Sequence, residues 1–414
     1  MLTFEEARKM VEQHAAAIAA QLQAGPAQAE RDKVSLSDAA GRSLAQTIVS
    51  DRDLPPFDRA TRDGYAVRAS DVMDTPATML LTGEVSAGEH FRDSVGYGDC
   101  VAIMTGAAVP AGADAVVMVE FTRRDGERVV FERPVAKGEN IVVRGSEAAK
   151  GDILLRCGAR LDFAAIALAA SVGAAEIEVF RKPHVAILST GNEVVDVAAS
   201  PAPEQIRNSN AYSLAAQVAA AGAIPQMLPI APDERQRTRE LVARGLGSDI
   251  LLLSGGVSMG KYDLVEEVLA EFGADIYFTG VKMQPGKPLV FASVVHDGRR
   301  RYVFGLPGNP VSTMVTFELF ARIMVEALGG SAPSPLMPLS ARLAADVSAK
   351  TGLTRILPAT LSPGEDLYSP PVVTLSGWKG SGDVVSVARS NAWLVVPPNV
   401  PQIAAGELVT VLLR

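Results

Sequence analysis

The chain has 414 residues, with 39 Lys and Arg against 47 Asp and Glu, a net charge of −8; 48% of it is hydrophobic and 21% charged. That length exceeds one hydrophobic core and implies about three domains, and the composition is that of a globular protein. The acidic balance argues against nucleic acid as the main partner, because phosphate binding needs a basic face. An anionic ligand would therefore need a local basic pocket.

Cys100 and Cys157 cannot build a disulfide framework and lack zinc-site spacing, so both read as buried thiols. His14, His90, His184 and His296 form no paired ligand motif, so a metal here would be a hard cation held by oxygens. The opening "MLTFEEARKM" has neither the basic nor the apolar region of a signal peptide, and no apolar run reaches membrane-span length. The expectation is a cytoplasmic protein without a membrane partner.

In chain order, Phe4, Ala7, Val11, Ala15 and Ile18 recur at helical spacing over residues 3–23, with Thr3 as the N-cap. Residues 46–145 carry short apolar runs broken by Gly, Pro and Asp, an all-β pattern. Within them lies "PPFDRATRDGYAV" (55–67), a poor helix and a poor central strand that gathers Asp58, Arg59, Arg62 and Asp63 around Phe57 and Tyr65. It is either a connector or a loop that delivers charge to a site built elsewhere. Residues 162–173 return to a helix that Gly173 ends.

From residue 180 strands alternate with helices. "HVAILST", "IPQMLPI", "DILLLSG" and "RYVFGLPG" read as strands; helices follow from Asn208 or Ser209 to Gly222, over 233–246, over 262–272 and from Pro310 to Gly330. That alternation predicts βαβ units and a parallel sheet covered on both faces. "SAPSPLMP" (331–338) is a linker, and the remainder reads as a small β module.

Four Gly-rich segments stand where chemistry could sit: "STGNEV" (189–194), "SGGVSMGKYD" (254–263), "QPGKP" (284–288) and "GLPGNPVS" (305–312). Three follow strands directly, where open α/β sheets bind ligands; "QPGKP" has no clear element. With Ser189, Thr190, Ser254, Ser258 and Lys287 they make a candidate oxyanion cradle. "PGKP" fails the phosphate-loop pattern, and "ILSTGNE" has no nucleophile elbow. Asp263 reads either as a helix cap or as a metal ligand, Glu193 as a solvent-facing acid or a ligand, and Asp233 as a helix cap. Beside an anion cradle, the three together suit a divalent ion bridging to phosphate oxygens.

Seven signatures run in order through nearly the whole chain: "PPFDRATRDGYAV", "IMTGAAVPAGADAVVMVE", "ILSTGNEV", "IRNSNAYSLAA", "LLLSGGVSMGKYD", "MQPGKPL" and "GLPGNPVS". On these the chain resembles the molybdopterin molybdenumtransferases of the MoeA type, and it is similar to the enzymatic E domain of gephyrin. The resemblance implies a transferase that inserts molybdate into adenylylated molybdopterin, releases AMP and uses Mg²⁺, completing the molybdenum cofactor.

It implies a multidomain α/β fold: an elongated helical and dimerisation domain (1–45 and 146–179), a β-rich domain with the DGYA motif (46–145), a three-layer molybdopterin-binding α/β domain with a central parallel sheet (180–331), and a C-terminal β-barrel (332–414). It implies Asp63, Glu193, Asp263 and Lys287 as catalytic residues, with Asp263 and Glu193 on the metal. The substrate would meet Thr105, Ser189, Thr190, Gly191, Asp233, Ser254, Gly255, Gly256, Ser258, Pro307, Gly308, Asn309 and Pro310. A homodimer would share each site, with the Asp63 loop and Thr105 supplied by the partner. Molybdopterin adenylyltransferase and recipient molybdoenzymes are implied as further partners.

The chain departs from the family at four places. Arg59, Ala60, Thr61 and Arg62 replace a frequent Asn-Ser-Ala-Met, Gln284 replaces a common basic residue, Lys261 an acidic one and Asn192 an aspartate. The Asn192 change is expected to matter least. Two other readings stay open: an adenylyltransferase, which needs only the α/β domain, and a non-catalytic pterin-binding or scaffold protein.

Overall fold

A computed structural model describes residues 1–25, 29–256, 264–333 and 336–414. Its centre is a six-stranded sheet in the order Ile224–Met227, His184–Ser189, Ile250–Ser254, Arg299–Leu306, Val290–His296, Asp275–Phe278. The first four strands run parallel. Buried strands alternate their side chains between two cores, which explains the continuous apolar runs. Val185, Ile187, Ile250 and Leu252 face helices Ser209–Ala220 and Pro310–Thr316. Ala186, Leu188, Leu251 and Leu253 face Arg235–Gly245 and Leu264–Glu271.

The sheet extends beyond the expected parallel part. Val290–His296 and Arg299–Leu306 form an antiparallel hairpin whose register closes at His296 and Arg299. Its two-residue turn, Asp297-Gly298, has φ of 49° and 72°, the all-positive geometry that suits right-twisted strands. Asp275–Phe278 adds antiparallel to the hairpin's free edge.

Helix Phe4–Ala24 starts on the expected cap. Thr3 Oγ1 accepts the Glu6 backbone N–H at 3.2 Å, and the Glu6 carboxylate accepts the Thr3 N–H at 2.8 Å, a reciprocal box. The helix buries Phe4, Ala7, Val11, Ala15 and Ala19 against the α/β core. Just before it, Leu2–Thr3 pairs in parallel with Val281–Gln284, which pairs in turn with Thr354–Ser362 of the C-terminal part. The segment "QPGKP", unplaced in the sequence, therefore leaves a strand that joins the α/β domain to that part. There, Thr354–Ser362, Val372–Leu375, Pro338–Leu343, Leu408–Leu413 and Ala392–Val396 close into a five-stranded barrel, the last strand returning to pair with the first.

The β-rich part is a second six-stranded sheet, in the order Ala115–Met118, Gly64–Val67, Asp99–Ile103, Ala77–Val85, Arg128–Phe131, Thr122–Asp125. Gly64–Val67, the end of the opening motif, is buried at all four positions. Asp63 stands exposed at its mouth. Between residues 29 and 180, α-helix is confined to Phe163–Ser171 among the described residues. Asp162 caps it, accepting the Ala165 N–H at 2.8 Å. Cys100 is buried, and burial pushes its thiol up to about 12. Cys157 is only half-buried, unlike the expectation for it. Among the described residues no helix is long and apolar enough to cross a membrane.

Candidate active-site crevice

Three parallel strands end in the Gly-rich turns, and these turns wall a crevice of about 430 Å³. It lies beyond the carboxyl ends of the strands, the position where such sheets hold ligands. Ser189, Thr190, Gly191, Glu193 and Asp233 line one side, Ser254, Gly255 and Gly256 the floor, and Pro307, Gly308, Asn309 and Pro310 the other side. These expected substrate residues are thus brought together by the fold. Ser258 and Asp263, with Lys261, lie outside the described residues.

Side chains tie the turns to one another. Ser189 Oγ donates to Asn208 Oδ1 at 3.0 Å, and the same oxygen caps helix Ser209–Ala220 through the Ala211 N–H at 3.1 Å. Asn210 Nδ2 donates to Ser254 Oγ and to the Gly308 carbonyl, each at 2.8 Å, so one carboxamide fixes two walls. Asn208 was legible as a cap, but the joining role of Asn210 was not. Thr190 Oγ1 and Asn210 Oδ1, of two residues that line the crevice, are buried without a hydrogen-bond partner among the described residues. Buried polar atoms are nearly always satisfied, so two orphans on one crevice mark a place where a ligand can complete the network.

Glycine is required at the floor. Gly255 has φ of +96°, and a Cβ there would stand 2.8 Å from the Thr190 carbonyl oxygen. At Gly191, with φ of +131°, a Cβ would meet the Glu193 carboxylate at 2.5 Å. Glu193 is therefore folded back over the turn, on the crevice side.

Asp233 does not cap its helix. Glu234 holds the cap position of Arg235–Gly245 without a side-chain bond. The Asp233 carboxylate instead accepts the Asn192 N–H at 3.3 Å, and Asn192 Oδ1 accepts the Asp233 N–H at 3.1 Å. Asn192, expected to matter least, is the residue that aims Asp233 along the wall. An amide suits this place because it accepts a hydrogen bond beside a carboxylate without adding a second charge.

Other expected residues lie apart. Lys287 is exposed one residue before Pro288, which lines the crevice. Asp63 and Thr105 belong to the β-rich part and do not line the crevice of their own chain. Thr105 donates its backbone N–H to Asp63 Oδ1 at 2.6 Å, and this bond holds the Asp63 carboxyl below its ordinary range. Arg207, Ser209, Asn210 and Pro288 line the crevice without having been singled out as site residues. Among the described residues no cluster of three His, Cys, Asp or Glu side chains is placed to hold a metal. Among the described residues Glu193 and Asp233 are the carboxylates on the wall, oxygen donors of the kind a hard divalent cation takes.

An α/β sheet with a polar crevice at its switch point, joined to a β-rich part and a closed barrel, defines the class. Family models agree with it in three consecutive matches: the MoeA N-terminal region (domain I and II) over residues 2–173, a probable molybdopterin binding domain over 186–327, and the MoeA C-terminal region (domain IV) over 340–413. The molybdopterin molybdenumtransferase of Bacillus subtilis is 35% identical over 397 residues, covering 93% of this chain and 90% of that protein. The protein of the same name from Nostoc is 34% identical, covering 93% and 89%. Among solved structures, the molybdopterin biosynthesis MoeA protein of Pyrococcus horikoshii superposes with a TM-score of 0.79 at 27% identity, over all of both chains. This chain belongs to the MoeA family of molybdopterin molybdenumtransferases.

Proposed function

We propose that the chain inserts molybdate into adenylylated molybdopterin and releases AMP, the step that completes the molybdenum cofactor. The observation that carries this reading is the crevice with its two orphaned polar atoms, Thr190 Oγ1 and Asn210 Oδ1, in a chain whose relatives bear that activity as their name. The Thr190 hydroxyl can donate to an oxyanion oxygen. Asn210 Oδ1 can accept an N–H or O–H of the pterin or ribose. Lys287 adds a positive charge beside the wall as a point charge for a substrate anion.

Glu193 and Asp233, the acids on the described wall, suit a hard cation such as Mg²⁺, and the family resemblance adds Asp263, which lies outside the described residues, as a holding residue with Glu193. Bound there, Mg²⁺ would supply charge neutralisation to the phosphoanhydride oxygens. The residues themselves orient the two anions so that molybdate meets the dithiolene while the phosphoanhydride lies along the polar wall.

The same reading includes a homodimer in the cytoplasm, with the Asp63 loop and Thr105 completing the partner's crevice. Asp63 is exposed and is not among the residues that line its own chain's crevice. The uncharged helix Phe163–Ser171 leaves Phe163 89% exposed, an apolar face that suits a second copy. The division into domains at residues 45, 145, 179 and 331 belongs to this reading as well.

The test is incubation with adenylylated molybdopterin, Mg²⁺ and molybdate, following AMP. Release that requires molybdate is the expected result. Pyrophosphate formed from ATP and molybdopterin would instead make the protein an adenylyltransferase, and pterin binding without AMP would make it a non-catalytic binder.

A further inference from the structure

The described residues that line the crevice include two acids, Glu193 and Asp233, and a single cation, Arg207. Arg207 ends a short strand, Ile206–Arg207, paired in parallel with Val194–Val195. The Ile206 N–H bonds the Glu193 carbonyl at 2.8 Å, so this pairing begins at the acidic turn itself. Arg207 Nε donates to the Ala199 carbonyl at 3.1 Å, which anchors the inner edge of the guanidinium. Its Nη groups have no ion-pair partner among the described residues.

Directly after Arg207 comes helix Ser209–Ala220. Asn208 takes the Ala211 amide, while Ser209 and Asn210 supply first-turn N–H groups that have no acceptor within the helix. Arg207, with Nη groups unpaired among the described residues, thus stands in the chain directly before the positive end of a helix dipole, on the lining of the same crevice. Thr190 stands independently on the same crevice: it is only 7% exposed, and its Oγ1 has no partner among the described residues.

We infer that Arg207 is an anion-binding residue of the crevice, gripping a tetrahedral oxyanion with its Nη edge alongside the Ser209 and Asn210 amides. This rests on the proposed reaction, in which both substrates are anions. The physical need is specific. A chain of net charge −8 with two carboxylates on the crevice wall repels such ligands, and arginine's planar fork matches an oxyanion where lysine offers only a point charge. The oxyanion is either the phosphoryl group of the nucleotide half or molybdate.

The test uses the full chain as Arg207→Ala and Arg207→Lys, with AMP release measured while adenylylated molybdopterin is varied at fixed molybdate, and then the reverse. Binding of AMP alone and of molybdate alone is measured by calorimetry at low and high salt. Arg207→Ala should raise KM for one of the two anions by roughly tenfold or more, the scale of one charged hydrogen bond. Its kcat should change little, its melting temperature should stay at wild type, and Arg207→Lys should restore part of the loss.

The arm that shifts identifies the anion: phosphoryl if AMP and adenylylated molybdopterin weaken, molybdate if molybdate weakens. Unchanged KM for both, with wild type turning over, overturns the inference. If wild type releases no AMP, the functional reading fails instead. The binding arm still decides the role of Arg207, since AMP and molybdate affinities equal to wild type in Arg207→Ala would reject it.

Discussion

Asp63 Oδ1 accepts the Thr105 backbone N–H at 2.6 Å, and so links two turns of the β-rich part that are 42 residues apart in sequence. The bond keeps the Asp63 carboxyl ionised below its ordinary range, while the side chain stays exposed. Two roles overlap in this carboxylate: it braces the loop, and it presents a negative charge outward.

Asp63→Asn separates them, because the amide oxygen can still accept the Thr105 N–H but carries no charge. The melting temperature should change little, as exposed substitutions usually move stability by less than about 0.5 kcal/mol. AMP release should fall by roughly 10²-fold, the scale of losing one preorganised electrostatic group. Full activity in Asp63→Asn, with loss only in Asp63→Ala, would leave the residue as a brace. Because the pKa is lowered, activity should show no titration from this group above its ordinary value of 3.8.

Thr190→Val removes a buried hydroxyl that has no hydrogen-bond partner among the described residues. Deleting an unsatisfied buried group should leave the melting temperature equal or higher, while substrate affinity drops by roughly tenfold through the lost ligand bond. Thermal melts and KM for adenylylated molybdopterin check it together. A lower melting temperature with unchanged KM would give the hydroxyl to the fold.

At the opposite end of the strands, Asp249 precedes Ile250–Ser254 and is 8% exposed. It accepts from Arg181 at 2.8 and 3.0 Å, from the His184 N–H at 2.8 Å and from Arg301 at 2.9 Å. Burial alone would raise its pKa, but the Arg181 and His184 bonds and the charges of Arg181 and Arg301 outweigh it and hold the carboxyl below 3.8. A depressed folded-state pKa contributes stability that is present above the unfolded value and lost as pH falls through the folded one. Asp249→Asn should therefore cost about 3–5 kcal/mol near neutral pH, the scale of breaking a buried pair. It should also flatten the loss of stability below about pH 4. Urea melts across pH 2–7 read both, and an unchanged acid limb would remove Asp249 from it.

Local signals carried much of the fold. Thr3, Asp162 and Asn208 cap their helices as short-range sequence chemistry dictates, and the Gly-rich turns after three strands mark the crevice in the sequence itself. The hairpin Val290–Leu306 was missed although Asp297-Gly298 announces it, because "RYVFGL" alone satisfied the alternating βα pattern. Val281–Gln284 was unreadable for another reason: its partners are Leu2–Thr3 and Thr354–Arg355, far away in the chain. The same distance hid Asn210, whose bond to Gly308 spans 98 residues. Asp233 reads as a cap by every local rule, and only the approach of Asn192 turns its carboxylate toward the crevice.

The proposed sharing of the site between two copies is tested most directly by AMP release from mixtures of two variants expected to be inactive, Asp63→Ala and Asp263→Ala, co-expressed or co-refolded in equal amounts. On this proposal, each site of a two-fold dimer would take its crevice from one copy and its Asp63 loop from the other. A mixed dimer then has one site with both residues intact and one with both defects. Random pairing makes about half the dimers mixed, so activity should return to roughly a quarter of wild type. If the loop served its own chain, every site would keep one defect. No recovery, with mixed dimers confirmed by mass, would contradict a site completed by the partner.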